Sequence, residues 1–340
     1  MAEKNHNKVD IFDVARRSGV SISTVSRSFN HPEQVKPATR KKIDRAVRDL
    51  GYIRNRAAQT MHGIRSGTIG LVVPTIDHTI FAELIHSFSQ SVEEQGFLIL
   101  VASHGYDLEK EYAVVRKFLE HRVDGVALIG QDHSEATYQL LESNGTPAVS
   151  MWNYDPASRL SCVGSDNALA GQLAAQCLLD HGHRDIAMLF PPRSDNDRAR
   201  GRYDGAMRTL QAAGVHPEGD MLAESLYSLR EAREAIAGVL RRPSRPTALL
   251  CGNDVLAAGA LWQAQDEGLR VPDDLSIVGI GDFKGSGEMS PALTTVHLPA
   301  REIGFLSGQQ MVAIIAGSAS QTIRIDCAIR LNVRQTCRRI

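Results

Sequence analysis

The run Ile22-Ser23-Thr24-Val25-Ser26-Arg27 follows the turn Ser18-Gly19-Val20-Ser21 and reads as the start of a helix. Ile22, Ser23, Thr24, Ser26 and Arg27 are short or polar there, placed to reach base edges and phosphates. Arg27 can donate to guanine or to phosphate. A second set of polar and aromatic residues sits directly after apolar, strand-like runs. Phe81 opens the helix after Ile69 to Pro74, and Trp152 and Asn153 follow Ala148-Val149-Ser150-Met151. Asp166 follows Cys162-Val163, while Arg198, Arg200 and Arg202 crowd the segment after Leu189-Phe190. Asn253 and Asp254 follow Leu250-Cys251, and Asp282 follows Ile280. Parallel sheets bind ligands outside the carboxyl ends of their strands. Taken singly, each of these residues reads equally well as a helix cap or a surface loop.

Catalytic patterns are missing. There is no G-x-x-x-x-G-K-[ST] loop, no G-x-S-x-G elbow and no H-E-x-x-H. Gly279-Ile280-Gly281-Asp282 is too short for a dinucleotide fingerprint, because residue 284 is Lys284. His181-Gly182-His183 reads as a helix end, with Gly182 stopping the helix of Leu173, Cys177 and Leu178 and His183 satisfying it. The five cysteines are an odd number without a C-x-x-C pair, so neither a disulfide framework nor a zinc ribbon is indicated. No metal and no cofactor are expected, and a reduced cytoplasm is the expected compartment. No apolar run approaches the ~20 residues of a membrane span, and the polar N-terminus lacks a secretory signal.

The elements that must position these residues divide the chain in two. Residues 1–62 hold 13 Lys+Arg against 6 Asp+Glu, a balance of +7, which leaves 25 basic and 33 acidic residues, −8, in the rest. A basic module ahead of an acidic body suits a polyanionic partner, although a solvated charged face has the same composition. Three short helices are read in it. The first follows Asp10, buries Ile11, Val14 and Ala15 and stops at Gly19; the second starts near Ser23 and carries Val25 and Phe29 inward. Pro37 and Thr39 open the third, with Ile43, Val47 and Leu50 on one face and Gly51 closing it. Helix, glycine turn, helix is the helix-turn-helix unit, whose second helix enters the major groove. From Thr68 onward apolar strands alternate with amphipathic helices, the pattern of parallel sheets covered on both faces. The length fits two such units with a cleft between them.

The string from Ile11 to Arg27, IFDVARRSGVSISTVSR, resembles the headpiece signature of the lactose-repressor (LacI/GalR) family, and the resemblance runs through essentially the whole chain. It implies an α/β protein: a helix-turn-helix headpiece with a hinge helix (1–62, hinge about 55–62), then two doubly wound, periplasmic-binding-protein-like lobes over 66–340. The lobes are expected at about 66–163 plus 293–320 and at 164–292 plus 321–335. It adds Asn55, Arg56, Ala58 and Met61 as hinge contacts to DNA. Arg54 stands where the family has proline and Met61 where it has a leucine that wedges into the minor groove. A plain linker is the alternative for this stretch. In the body, the resemblance groups Phe81, Trp152, Asn153, Asp166, Arg200, Arg202, Asn253, Asp254 and Asp282 as effector-binding positions. It adds Tyr227, from a loop that supplies an aromatic, and Gly281, which stands where the family has an aspartate. Met151-Trp152-Asn153 and Ile280-Gly281-Asp282-Phe283 are most similar to the gluconate-type branch, so a sugar acid is the expected effector.

The chain is thus expected to be a transcriptional regulator, a repressor, binding a near-palindromic operator as a homodimer under the control of a small molecule. Alternatives are a neutral-sugar or nucleobase effector, a transport-type binding protein, which has no use for residues 1–62, and a sugar-processing enzyme, which lacks its catalytic groups.

Overall fold

The computed structural model describes residues 9–54, 65–77, 79–318 and 322–340. The expected hinge contacts Asn55, Arg56, Ala58 and Met61 lie outside them. Contacts divide the chain after Ser66.

In the first unit, α1 (Ile11–Ser18) is fixed at both ends by its sequence. The Asp10 carboxylate accepts from Asp13 N–H at 3.0 Å, and the Asp13 carboxylate accepts from Asp10 N–H at 3.2 Å. This reciprocal cap satisfies two otherwise unpaired donors. Gly19 then turns the chain in the left-handed conformation. The second helix, α2 (Ile22–Asn30), begins one residue earlier than the sequence suggests, because the Ser21 hydroxyl accepts from Thr24 N–H. Pro37 occupies the first turn of α3 (Pro37–Leu50). Val14, Val25 and Ile43 are fully buried where the three helices meet, with Ala15 and Ala46 beside them. Arg54, at the family's proline position, donates to Asn30 Oδ1 and lies over the Phe29 ring, so it clasps the end of α2.

The second unit holds two six-stranded sheets. The first comprises β1 (Thr68–Val73), β2 (Leu98–Ser103), β3 (Gly125–Ile129), β4 (Ala148–Asn153), β5 (Ser161–Ser165) and β11 (Arg324–Asp326), in the order β11-β5-β4-β3-β1-β2 and parallel throughout. The second comprises β6 (Ile186–Phe190), β7 (Leu222–Glu224), β8 (Ala248–Cys251), β9 (Ser276–Gly281), β10 (Thr294–His297) and β12 (Arg330–Asn332), in the order β12-β10-β9-β8-β6-β7, with β12 alone antiparallel. The central strands are buried along their whole length, as apolar strands covered on both faces must be. Strand β2 lies at the edge of its sheet and leaves Leu98, Leu100 and Val101 at 62%, 40% and 39% exposure.

Helices α4 (Thr79–Glu93), α5 (Leu108–Glu120), α6 (Glu135–Ser143) and α11 (Ala300–Ile315) cover the first sheet. Helices α7 (Asn167–Asp180), α8 (Asp197–Ala212), α9 (Leu229–Leu240) and α10 (Asp254–Asp266) cover the second. The sheet pairing differs from the expected lobe boundaries. Strand β10, expected with the first lobe, aligns Val296 with Ile280 of β9 in the second sheet. Strand β11, expected with the second, aligns Ile325 with Val163 of β5 in the first. The chain therefore passes between the sheets at 165–167, 297–300 and 326–330, because pairing of these short strands, not the helix that follows them, decides their side.

Helices α7 and α8 touch backbone to backbone. A Cβ on Gly171 would lie 1.9 Å from Arg202 O, and one on Gly205 1.9 Å from Ala168 O. Only glycine permits that approach, and it sets α8, with its arginines, against the crossing at 165–167.

Candidate functional site

A small cavity is lined by residues that follow the carboxyl ends of strands in both sheets. Phe81 opens α4, Tyr106 follows β2 and Trp152 ends β4; from the other lobe come Arg198 and Arg202 of α8, Tyr227, Asn253 and Phe283. Phe81 and Trp152 meet edge to face at 5.8 Å, and Tyr106 of the first lobe stacks on Tyr227 of the second at 5.9 Å. Tyr106 and Trp152 have φ of 64° and 82°, a region bulky side chains avoid unless their surroundings impose it.

The two arginines sit differently. Arg198 donates to Asp197 Oδ1 at 2.8 Å and to Ile129 O at 3.3 Å. Burial alone would push its guanidinium down, but Asp197 together with Tyr106, Tyr227 and Asp132 offsets that and holds it up. Asp197 in turn accepts from Gln131 N–H at 2.6 Å and from the Asn153 amide at 2.9 Å, both in the first lobe. Burial acts to raise its carboxyl, but Arg198 and these donors hold it below its ordinary range. Arg202 donates through Nε to Asn167 Oδ1 at 2.8 Å and through Nη1 to Gly252 O at 3.0 Å, both neutral. It is 5% exposed and has no ion pair among the described residues, and burial pushes its guanidinium down.

Of the expected effector positions, the cavity gathers Phe81, Trp152, Arg202, Tyr227 and Asn253. Asn153 stands behind the lining, its amide donating to Asp197 and its Oδ1 accepting from Asn167 at 2.8 Å. Asp166, Arg200, Asp254, Gly281 and Asp282 are placed elsewhere. Asp166 caps α7, accepting from Ala168 and Leu169 N–H. Arg200 lies on another face of α8 and holds both carboxylate oxygens of Asp132 at 2.7 Å, tying the lobes outside the cavity. Asp254 accepts from Phe283 N–H, Ser286 and Thr295 and so fastens the loop after β9; burial raises its carboxyl. Asp282 accepts from Arg334 at 2.7 Å and Asn332 at 2.8 Å, with His297 Nδ1 at 3.0 Å.

Gly281 has φ of 138°, and a Cβ there would lie 2.0 Å from the Phe283 ring. The space the family's aspartate would fill is therefore taken by an aromatic that forms cavity wall. Gly281→Asp is expected to act first by displacing Phe283, costing roughly 1–3 kcal/mol through overpacking and backbone strain. Thermal melts would show it, and a variant as stable as the parent would refute the ring placement.

Tyr106 and Phe283 were missed by the sequence reading, and Arg198 was passed over for Arg200. For Tyr106 the signal was present, since it follows β2 as the others follow their strands.

In the first unit, α2 leaves Ile22, Ser23 and Arg27 exposed and Thr24 and Ser26 half-buried, with Val25 and Ser28 turned inward. The Ser21 hydroxyl engages those of Ser23 and Thr24 at 2.9 and 2.8 Å. Arg27 makes no ion pair among the described residues. One face of a short, capped helix is thus polar and cationic, a surface suited to a DNA groove.

A capped helix-turn-helix and a two-lobed α/β body are the parts of a DNA-binding transcriptional regulator. Residues 10–55 match the bacterial regulatory proteins of the lacI family and residues 175–337 the periplasmic binding protein-like domain. The chain is 30% identical to the HTH-type transcriptional regulator GntR of Pseudomonas aeruginosa, over 95% of this chain and 94% of that one. It is 31% identical to the HTH-type transcriptional repressor PurR of Erwinia tasmaniensis, over 93% of each. Among solved structures it is similar to a LacI family regulator from Silicibacter pomeroyi (TM-score 0.87, 26% identity, 97% and 100% covered). The lac repressor dimer bound to operator and an anti-inducer gives a TM-score of 0.84 at 26% identity, covering 97% and 99%. The chain belongs to the lacI family of bacterial transcriptional regulators. It is a DNA-binding transcriptional regulator. Among the described residues no helix is long and apolar enough to cross a membrane.

Proposed function

We propose that this chain represses transcription as a cytoplasmic homodimer on a near-palindromic operator, and that its effector is a sugar acid of the gluconate type. The observation that carries the effector is Arg202, a buried cation facing a cavity with no Asp or Glu in its lining. An uncompensated buried charge is costly, and a carboxylate ligand supplies the missing partner. Tyr106, Trp152 and Phe283 offer apolar faces to the carbon chain and exclude water. The homodimer is supported by the exposed apolar edge of β2 and by likeness to a lac repressor dimer. In this reading the ligand draws both lobes onto itself, the rotation reaches the headpiece through the 55–62 segment, and operator affinity falls because the two states bind DNA unequally.

Calorimetric titration with gluconate, its neutral parent sugar and a purine base tests the effector. Gluconate is expected to bind tightest. Arg202→Gln, which keeps a donor but loses the charge, is expected to weaken it by about 10-fold or more, the value of ~1.5–3 kcal/mol for a charge-assisted contact. Tighter binding of the neutral sugar or the purine would reject the sugar acid and leave the regulator standing.

A further inference from the structure

Away from the cavity, three metal-ligating side chains converge where the tail of the chain meets the end of α7. Cys177 and His181 are four residues apart and so share one helix face. Cys337 comes from the tail, where Ile277 N–H donates to Thr336 O at 2.7 Å and Arg338 N–H donates to Ser276 Oγ at 3.1 Å, fixing the residue between them. Ile340 N–H donates to His181 O at 2.9 Å and closes the other end. The Cys177, His181 and Cys337 donor atoms all lie within 4.8 Å of one another, and Cys177 Sγ is 3.9 Å from His181 Nδ1. Both cysteines are buried and neither is in a disulfide.

We propose that Cys177, His181 and Cys337 form a binding site for a thiophilic metal ion of the Zn²⁺ class. Tetrahedral bonds of ~2.3 Å to sulfur and ~2.0 Å to nitrogen give donor–donor edges of roughly 3.5–3.8 Å, so the cluster needs only a small contraction. His181 Nδ1 now donates to Cys177 O at 2.6 Å. Ligation turns the ring off that carbonyl, moves its proton to Nε2 and releases the two thiol protons to solvent, while the carbonyl keeps the backbone N–H of His181, at 3.2 Å. Neighbouring His183 is committed to Thr247 Oγ1 and Arg338 O and serves as a brace rather than a ligand. The site thus offers three protein donors and an open fourth position. The ion would fasten the 333–340 tail to α7, the helix that packs against arginine-bearing α8.

The full chain, reduced with a phosphine under argon, would be titrated with Co²⁺ and followed by absorption. One equivalent is expected to give a sulfur-to-cobalt charge-transfer band with tetrahedral ligand-field bands, lost on adding Zn²⁺. Zn²⁺ is expected to raise the melting temperature by several degrees through binding to the folded state. Cys337→Ser should lose the charge-transfer band and the Zn²⁺ shift while still binding operator DNA. Half-buried His181→Gln keeps both thiolates and is expected to weaken Co²⁺ binding and shrink the Zn²⁺ shift, which tests the site should Cys337→Ser fail to fold. Absence of a charge-transfer band in the reduced parent, or a band unchanged in both variants, would overturn the site, as would a Cys177–Cys337 disulfide persisting after reduction.

Discussion

Replacing Arg27 with alanine is expected to lower operator affinity by on the order of 10²–10⁴-fold while effector binding stays intact. A specific arginine contact in a groove is worth about 1–3 kcal/mol, and the proposed homodimer on a near-palindrome would make it twice. The helix should survive the change, because Ser21 caps it and Val25 anchors it, and Arg27 contributes to neither. Electrophoretic shifts on operator selected by the parent protein would measure the loss, with circular dichroism confirming the fold. An alanine variant that shifts operator at the parental concentration would remove α2 as the reading helix.

Loss of Asp197 should be the most damaging single change in the body. Its carboxylate neutralises Arg198 and accepts from Gln131 and Asn153 across the lobes, and both members of the pair are more than nine-tenths buried. Asp197→Ala strands the guanidinium in the interior, for which about 3–5 kcal/mol is typical. The expected result is a lowered melting temperature together with weakened effector binding. Arg198→Met in the same chain should recover part of the stability, since no unpaired charge is then buried, but not the binding. Additive losses in the double variant would contradict the pairing. The pH dependence has a defined sign. The folded carboxyl is held below 3.8, so its stabilisation is fully present above the unfolded range near pH 4 and is lost as acid titrates the folded form.

Local signals explain what was legible beforehand. Asp10, Gly19, Pro37 and Gly51 mark helix ends by chemistry that acts within four residues, so the three helices over 10–51 could be read to within a residue. The rule that ligands meet strand ends found Phe81, Trp152 and Asn253 and would have found Tyr106. The arginines could have been separated by period alone. Arg198 and Arg202 are four apart and share a face of α8, whereas Arg200, two from each, turns to Asp132. Asp254 and Asp282 were beyond local inspection. Their partners Ser286, Thr295, Asn332 and Arg334 are brought to them by the fold of the second sheet, and their charges are met within it. Gly281 was hard to read for a different reason, because the ring beside it arrives from only two residues onward, through a backbone angle that sequence does not display.

The three passages between the lobes act as a mechanical linkage. A body hung from a single cord can swing and spin in any direction; one held at 165–167, 297–300 and 326–330 is far more restricted in how it can turn. In the proposed reading, ligand shape is thereby felt as the separation of the lobes, an opening angle. A molecule too bulky for the aromatic walls and one too short to reach Arg202 would displace that angle in opposite senses. Such a hinge grades its ligands by size and charge together, so mutations in any of the three passages should alter the response to every effector at once.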